Sequence, residues 1–393
     1  MQLEPAVCEV LRTVFKATVQ PSLMTPGTVD IALADVVGTA AAGGDLIVVQ
    51  PKIAISQVLF MLAYTADPST WRADASELGT YDDVTAGITS LFAQVSEHAL
   101  QRGVLHGYHE VEDDSVTVRG RIDLARQMRT RPGLDIPLAI RYTEFDADIV
   151  ENRLILAAGL ALHVLRTRDA DAMRRLRRVI AGLAAETTFT RFHPASVPSI
   201  TWTRLNSHYR PAVELARLIL TQASPHLSVG SQPVVGLALS LAGVFERFVR
   251  TALAEALHVS DTAFPDGTHC PPLSLDEAGR IRLEPDLSWW HVGQCRFVGD
   301  VKYKRDAGSG LNPDLYQLHA YATATRLSHA TLVYADGPPV PRRHTIPPLG
   351  IDLSIEHLDL TRPPKEILGQ VAVLADRIAA ERSSAVQTLK AVV

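Results

Sequence analysis

The stretch that decides the fold of the C-terminal half reads Leu283-Glu284-Pro285-Asp286-Leu287-Ser288-Trp289-Trp290, then Phe297-Val298-Gly299-Asp300-Val301-Lys302-Tyr303-Lys304, then Asp314-Leu315-Tyr316-Gln317-Leu318-His319-Ala320-Tyr321. Apolar alternation from Ile281 predicts a strand over Ile281–Trp289 and a second over Arg296–Tyr303. A hairpin-type connection through His291–Gln294 would join their ends. Asp286 and Asp300, apart in sequence, then become neighbours in space. Side chains alternate with period two along a strand, so Lys302 shares a face with Asp300. A helix is predicted over Asp314–Thr325, opened by Pro313, whose missing N–H costs nothing in a first turn. Gln317 and Tyr321 lie four apart and share one face of it.

Two carboxylates that converge on one point repel each other unless a cation lies between them. Mg²⁺ takes oxygen ligands from carboxylates, backbone carbonyls, waters and phosphate. Asp286, Asp300 and the Val301 carbonyl could supply such a set. Lys302 could orient or help deprotonate an attacking water, or stabilise charge developing on a phosphorane. Upstream, a helix predicted over Gly236–Leu257 carries Glu246, which could complete the metal shell through water. Pro-Asp alone is a weak signal, since Pro265-Asp266 and Pro313-Asp314 also occur. Asp300-Val301-Lys302 is the only acid-x-lysine in the chain, and it stands on an apolar β run. The plainer readings are a surface hairpin with an exposed salt bridge, a packed tyrosine with a capping glutamine, and an ordinary surface glutamate.

The 393 residues suffice for two domains. An apolar fraction of 47% and a charged fraction of 21% are those of a soluble globular protein. A net charge of −5 does not advertise nucleic-acid binding, so any DNA contact must be local or shared with a partner. Lysine occurs only at Lys16, Lys52, Lys302, Lys304, Lys365 and Lys390, while arginine supplies the remaining basic charge. Where arginine is the habit, a lysine points to a demand for a compact, tunable point charge. Cys8, Cys270 and Cys295 form no C-x-x-C pair and suggest a reducing cytoplasm. No signal-peptide pattern opens the chain, and the apolar runs Leu154–Leu165 and Val234–Phe245 are too short to span a bilayer, so they read as buried helices.

Along the chain, short β pieces are expected at Val29–Leu33 and Leu46–Val49, with a turn at Ala42-Gly43-Gly44-Asp45. Helices are expected over Ile55–Ala66 and Asp82–Leu100, then strands over Val104–Val111, Ser115–Ile122 and Leu138–Phe145. Further helices are expected over Asp148–Arg166, Ala170–Ala185 and Arg210–Ala223. Arg174, Arg175, Arg177 and Arg178 on the second of these read first as a solvated face. Pro, Gly and Ser gather over Ser224–Pro233, which places a domain break near 230. The expected architecture is mixed α/β, with an N-terminal α+β domain over 1–230 and a second domain over 231–393.

The three quoted segments resemble the catalytic core of the PD-(D/E)xK nuclease superfamily, and the Gln-x-x-x-Tyr helix is similar to its RecB-like branch. Over roughly 45–335 the chain resembles the McrC family, the nuclease subunit of McrBC-type modification-dependent restriction systems. Val49-Gln50-Pro51-Lys52, Met61-Leu62-Ala63-Tyr64, Gly120-Arg121-Ile122-Asp123, Tyr142-Thr143-Glu144-Phe145 with Asp148, Glu151-Asn152-Arg153 and Phe245-Glu246 carry that likeness. The resemblance implies a restriction-endonuclease-like core that cuts DNA phosphodiesters with Mg²⁺. Its catalytic residues would be Asp286, Asp300 and Lys302, supported by Glu246, Gln317, Tyr321 and Lys304. It implies an N-terminal domain that docks on a hexameric McrB-like AAA+ GTPase and stimulates it, with recognition of cytosine-modified double-stranded DNA left to the partner. GTP would be bound by that partner, since this chain has no G-x-x-x-x-G-K-[ST]. Two other readings stand beside it: a stand-alone RecB-like repair or processing nuclease, and a non-catalytic adaptor of an AAA+ motor.

Overall fold

The computed structural model describes residues 4–25, 28–42, 45–68, 81–133, 136–165, 167, 169–229, 232–265, 269–305, 312–338, 340–347 and 350–391. The chain divides into two compact units, one formed by Met1–Gly87 with Ala238–Val393, the other by Ile88–Leu237. It therefore crosses between units twice, whereas composition signals a single break near 230. The Pro/Gly/Ser stretch marks the second crossing; the first falls inside a helix, where no change of composition marks it.

The first unit begins with α1 (Pro5–Thr13), which buries Cys8, Val10 and Leu11. The hairpin β1 (Thr18–Pro21) and β2 (Val29–Ala32) follows, then β3 (Val36–Ala42) paired antiparallel with β4 (Asp45–Val49). The β pieces at 29–33 and 46–49 are present, and the turn glycines between β3 and β4 lie outside the described residues. β3 escapes sequence reading because three of its seven residues are alanine, a poor strand former. α2 (Ile55–Ala66) has its expected bounds. α3 (Val84–Leu100) opens where the Asp83 carboxylate accepts from the Ala86 N–H at 2.8 Å, satisfying an orphan donor.

The second unit contains most of α3 and the antiparallel sheet β5-β7-β6. Its strands are β5 (Gly107–Ser115), β6 (Arg121–Ile122) and β7 (Leu138–Asp146). The strand expected over Ser115–Ile122 is corrected: β5 runs on to Ser115, and only two residues pair as β6. Gly120 turns the chain between them with φ +72°, and a Cβ there would stand 2.4 Å from the Arg141 carbonyl. α4 (Leu124–Thr130) is capped by Asp123, which also accepts from Arg141 at 2.8 Å. α5 (Val150–Leu165), α6 (Ala170–Ala184) and α7 (Arg210–Gln222) match the three expected helices. Buried Asn152 donates to the Leu105 and Ala147 carbonyls, and Arg153 forks onto Asp148 at 2.8 Å on both arms. Those motif residues thus have structural partners. The four arginines of α6 are exposed, Arg178 pairing with Glu97. β8 (Ala223–Val229) and β9 (Gln232–Ser240) form a hairpin across the Pro/Gly/Ser stretch.

The first unit resumes with α8 (Leu241–Ala256). The helix expected from Gly236 is corrected, because Gly236–Ser240 is strand and Ser240 caps the helix through the Gly243 N–H. A short apolar run reads equally as buried helix or buried strand. α8 packs on α2, where Phe248 meets Phe60 and Tyr64 edge-on at ring separations of 5.1 and 5.7 Å. β10 (Leu273–Ser274) and β11 (Arg282–Leu283) then pair briefly. A five-stranded sheet completes the unit in the order β12-β13-β14-β16-β15. Its strands are β12 (Leu287–His291), β13 (Gln294–Arg305), β14 (His329–Asp336), β15 (Arg342–Ile346) and β16 (Ile351–His357).

The strand expected over Ile281–Trp289 is corrected to two pieces, β11 and β12, broken at Glu284-Pro285-Asp286. Proline has no N–H for a ladder and ends pairing there. β12 and β13 join through Val292 and Gly293, both at positive φ as a two-residue hairpin turn requires. α9 (Asn312–Thr325) crosses from β13 to its parallel neighbour β14, a βαβ connection. β14 is buried from Ala330 to Ala335, as a central parallel strand should be. Val298, Leu318, Tyr321, Leu332, Tyr334, Leu353 and Ile355 form the core between α9 and the sheet. α10 (Pro364–Ala391) closes the chain.

Gly299 fixes how closely β13 approaches β14. A Cβ there would lie 2.7 Å from the Thr331 carbonyl and 3.1 Å from the Phe297 ring. Gly299→Ala is expected to destabilise the chain by roughly 1–3 kcal/mol, the range for overpacking a core. An unchanged urea midpoint would contradict this packing.

Candidate active site

The break at Pro285 releases Asp286 from the strand ladder and turns it toward β13. Its Oδ2 accepts from the Val301 N–H at 2.9 Å. This bond pins Asp286 one residue from Asp300, so the two carboxylates meet as the sequence implies. Asp300 is buried, 1% exposed. Its Oδ2 lies 2.5 Å from the Lys302 ammonium, and its Oδ1 has no hydrogen-bond partner among the described residues. A buried carboxylate oxygen without a donor is costly unless something fills its place.

The electrostatics follow from that crowding. Burial, and then the Asp286 carboxylate, push the Asp300 carboxyl far above its ordinary range, with Lys302 opposing. For Lys302, burial pulls downward, but Asp300, Asp286 and Asp314 outweigh it and hold the ammonium above its usual value. Glu246, on α8, is raised by burial and by Asp286, against Arg247 and Lys302. Glu246 therefore faces the same group of charges.

Two further expected residues meet here. Gln317 Nε2 donates to the Tyr321 hydroxyl at 2.7 Å, and that hydroxyl donates to the Glu284 carbonyl at 3.1 Å. The pair on α9 thus holds the segment that carries Asp286. Lys304 sits apart from Asp300; its ammonium lies 2.6 Å from Asp314 Oδ2. Sequence reading missed Asp314 and Tyr334, whose hydroxyl donates to Asp314 Oδ2 at 2.5 Å. Pro313-Asp314 reads as a helix start, and nothing in the sequence links it to Tyr334.

The donor set suits a hard divalent cation: two converging carboxylates, one with a bare buried oxygen, beside a backbone strand. Among the described residues no three His, Cys, Asp or Glu side chains gather as a metal site. The main-chain group seen at Asp286 is the Val301 amide.

An α/β unit with a paired-carboxylate-and-lysine site on a βαβ core is thus the class that fold and site define. The family model for the McrBC 5-methylcytosine restriction system component matches residues 31–335, and the chain belongs to that family. No curated protein matches it significantly. A refined half-complex from a tetradecameric assembly of Thermococcus gammatolerans McrB AAA+ hexamers with bound McrC contains a similar chain. It aligns at TM-score 0.50 and 18% identity, covering 91% of this chain and 86% of that one, a likeness of fold. The cryo-EM structure of the Thermococcus gammatolerans McrBC complex aligns at TM-score 0.36 and 21% identity, over 58% of this chain and 68% of that one. No helix among the described residues is long and apolar enough to cross a membrane.

Proposed function

We propose that the chain is the McrC-like subunit of a modification-dependent restriction complex, a Mg²⁺-dependent DNA endonuclease that also stimulates an AAA+ GTPase partner. The observation that carries the nuclease reading is the buried Asp300, crowded by Asp286 and paired with Lys302. An idle surface hairpin has no need of a buried carboxyl crowded by a second one, whereas catalytic sites are where such pairs occur. The β12-β13-α9-β14 arrangement supports a restriction-endonuclease-like core.

Asp286, Asp300 and the Val301 carbonyl would hold the Mg²⁺, with Glu246 behind a water. Bound there, the ion would offset charge on the scissile phosphate and acidify a water. Lys302, kept protonated by its carboxylate neighbours, orients the attacking water and stabilises negative charge as the phosphorane forms. Gln317 and Tyr321 hold the Glu284-Pro285-Asp286 segment so that Asp286 stays aimed at β13. A McrB-like AAA+ hexamer, as in the Thermococcus gammatolerans assembly, would be the partner that supplies GTP hydrolysis and carries the subunit to modified DNA. That division suits a chain of net charge −5.

The test is cleavage of cytosine-methylated and unmethylated plasmid with Mg²⁺, with and without a McrB-like AAA+ protein and GTP. Methyl-dependent cutting only in the full mixture is the expected result. Cutting by the chain alone would favour a stand-alone nuclease. No cutting, with GTPase stimulation intact, would favour the adaptor.

A further inference from the structure

Lys304 is built into the structure in the same way as Lys302. Lys302 pairs with the buried Asp300, and Lys304 with Asp314, which is also buried. In each pair the acid is buried while the ammonium stays partly open to solvent, 26% for Lys302 and 49% for Lys304. Tyr334 joins them. It is the β14 register partner of Lys302, its ring centroid lies 5.9 Å from the Lys304 ammonium, and its hydroxyl donates to Asp314. The Lys304 ammonium and the Asp314 carboxylate thus meet on one tyrosine, whose backbone lies in register with Lys302.

An exposed ion pair contributes little stability, and this chain answers nearly every other demand for positive charge with arginine. The chain is acidic overall, so any grip on nucleic acid must be local. Lys302 and Lys304 are two residues apart on β13, roughly 7 Å by strand rise.

We infer that Lys304, held over Tyr334 by Asp314, is a phosphate-binding cation that fixes the DNA strand next to the scissile bond, with Asp314 and Tyr334 as its positioning residues. This rests on the nuclease reading for the identity of the strand, but its test is separate. Lys304 reads a non-scissile phosphate, so its loss weakens binding in a salt-dependent way. Asp314 reaches this phosphate through Lys304, so removing both costs binding no more than removing one.

The experiment measures binding of the full chain to a fluorescent cytosine-methylated duplex across a salt series, with Ca²⁺ in place of Mg²⁺ to prevent cutting. Lys304→Ala is expected to lower the slope of log K against log salt by about 0.9, one phosphate contact. Lys304→Arg keeps the slope. Asp314→Asn weakens binding as much as Lys304→Ala, and the double variant no further. An unchanged slope in Lys304→Ala, additive losses in the double variant, or no binding by the wild-type chain at the lowest salt would overturn the inference. A misfolded Asp314→Asn leaves the Lys304 slope to decide. Plasmid cutting in the full mixture is scored separately. Cutting with an unchanged Lys304→Ala slope sinks the inference and spares the nuclease reading. A lowered slope without cutting by the wild type does the reverse.

Discussion

Asp300→Ala is expected to abolish plasmid cleavage, by more than about 10³ in rate, while leaving stimulation of the AAA+ partner's GTPase intact. The carboxylate is 1% exposed, so its loss is confined to the site. Its removal also relieves the crowding with Asp286, so the fold should hold. Single-turnover cutting and GTP turnover, measured on the same preparation, separate the two activities. Surviving cleavage would show that the Asp286–Asp300 assignment is wrong. Loss of both activities with a lowered melting temperature would point to a structural role instead. Lys302→Ala belongs to the same experiment. It should lower the cutting rate by about 10²–10³ and affinity for DNA much less. Equal losses would make Lys302 a phosphate-positioning group.

Much of this site is legible in sequence because its parts are local. The alternation over Phe297–Tyr303 places Asp300 and Lys302 on one face, and the four-residue spacing of Gln317 and Tyr321 places them on one turn of helix. The meeting of Asp286 with Asp300 follows from a short hairpin. Proline at 285 could have signalled the break in the strand, but the alternation on either side hides it. What is not legible depends on non-local register. Tyr334 reaches Asp314 because β14 runs parallel to β13 with α9 between them, and no spacing in the sequence states that alignment. Gly236–Ser240 reads as helix because a short apolar run has no periodicity to choose by. β3 is lost because alanines carry the pairing that valine or isoleucine would have announced. The association of residues 1–87 with the C-terminal part is set by packing of α2 on α8, through Phe60, Tyr64 and Phe248, and leaves no compositional mark.

The strain at Asp300 has a consequence for stability that does not depend on cutting. Burial and Asp286 raise its folded-state pKa, whereas the unfolded side chain titrates near the ordinary carboxylate value of about 3.9. A raised acid favours folding at low pH, and that contribution is lost as pH rises through the folded-state value. At pH 8 the metal-free wild type must therefore hold an ionised, buried carboxylate against its neighbour. Asp300→Asn removes the charge and keeps the shape. Lys302 is not stranded by the change, since Asp286 and solvent remain available to it. In the chelated protein, Asp300→Asn is expected to be more stable than wild type at pH 8 by a few kcal/mol, since each tenfold change in proton affinity is worth about 1.36 kcal/mol. The gap should narrow at pH 5, where the wild-type carboxyl is protonated. Adding Mg²⁺ should reverse the order. Wild type gains about 2.7 kcal/mol at a hundredfold excess over Kd, and Asp300→Asn gains little. Urea midpoints at the two pH values, with and without Mg²⁺, decide it. No stabilisation by Asp300→Asn at pH 8 would mean that the carboxyl pair is not strained. Equal gains from Mg²⁺ in both proteins would place the cation elsewhere.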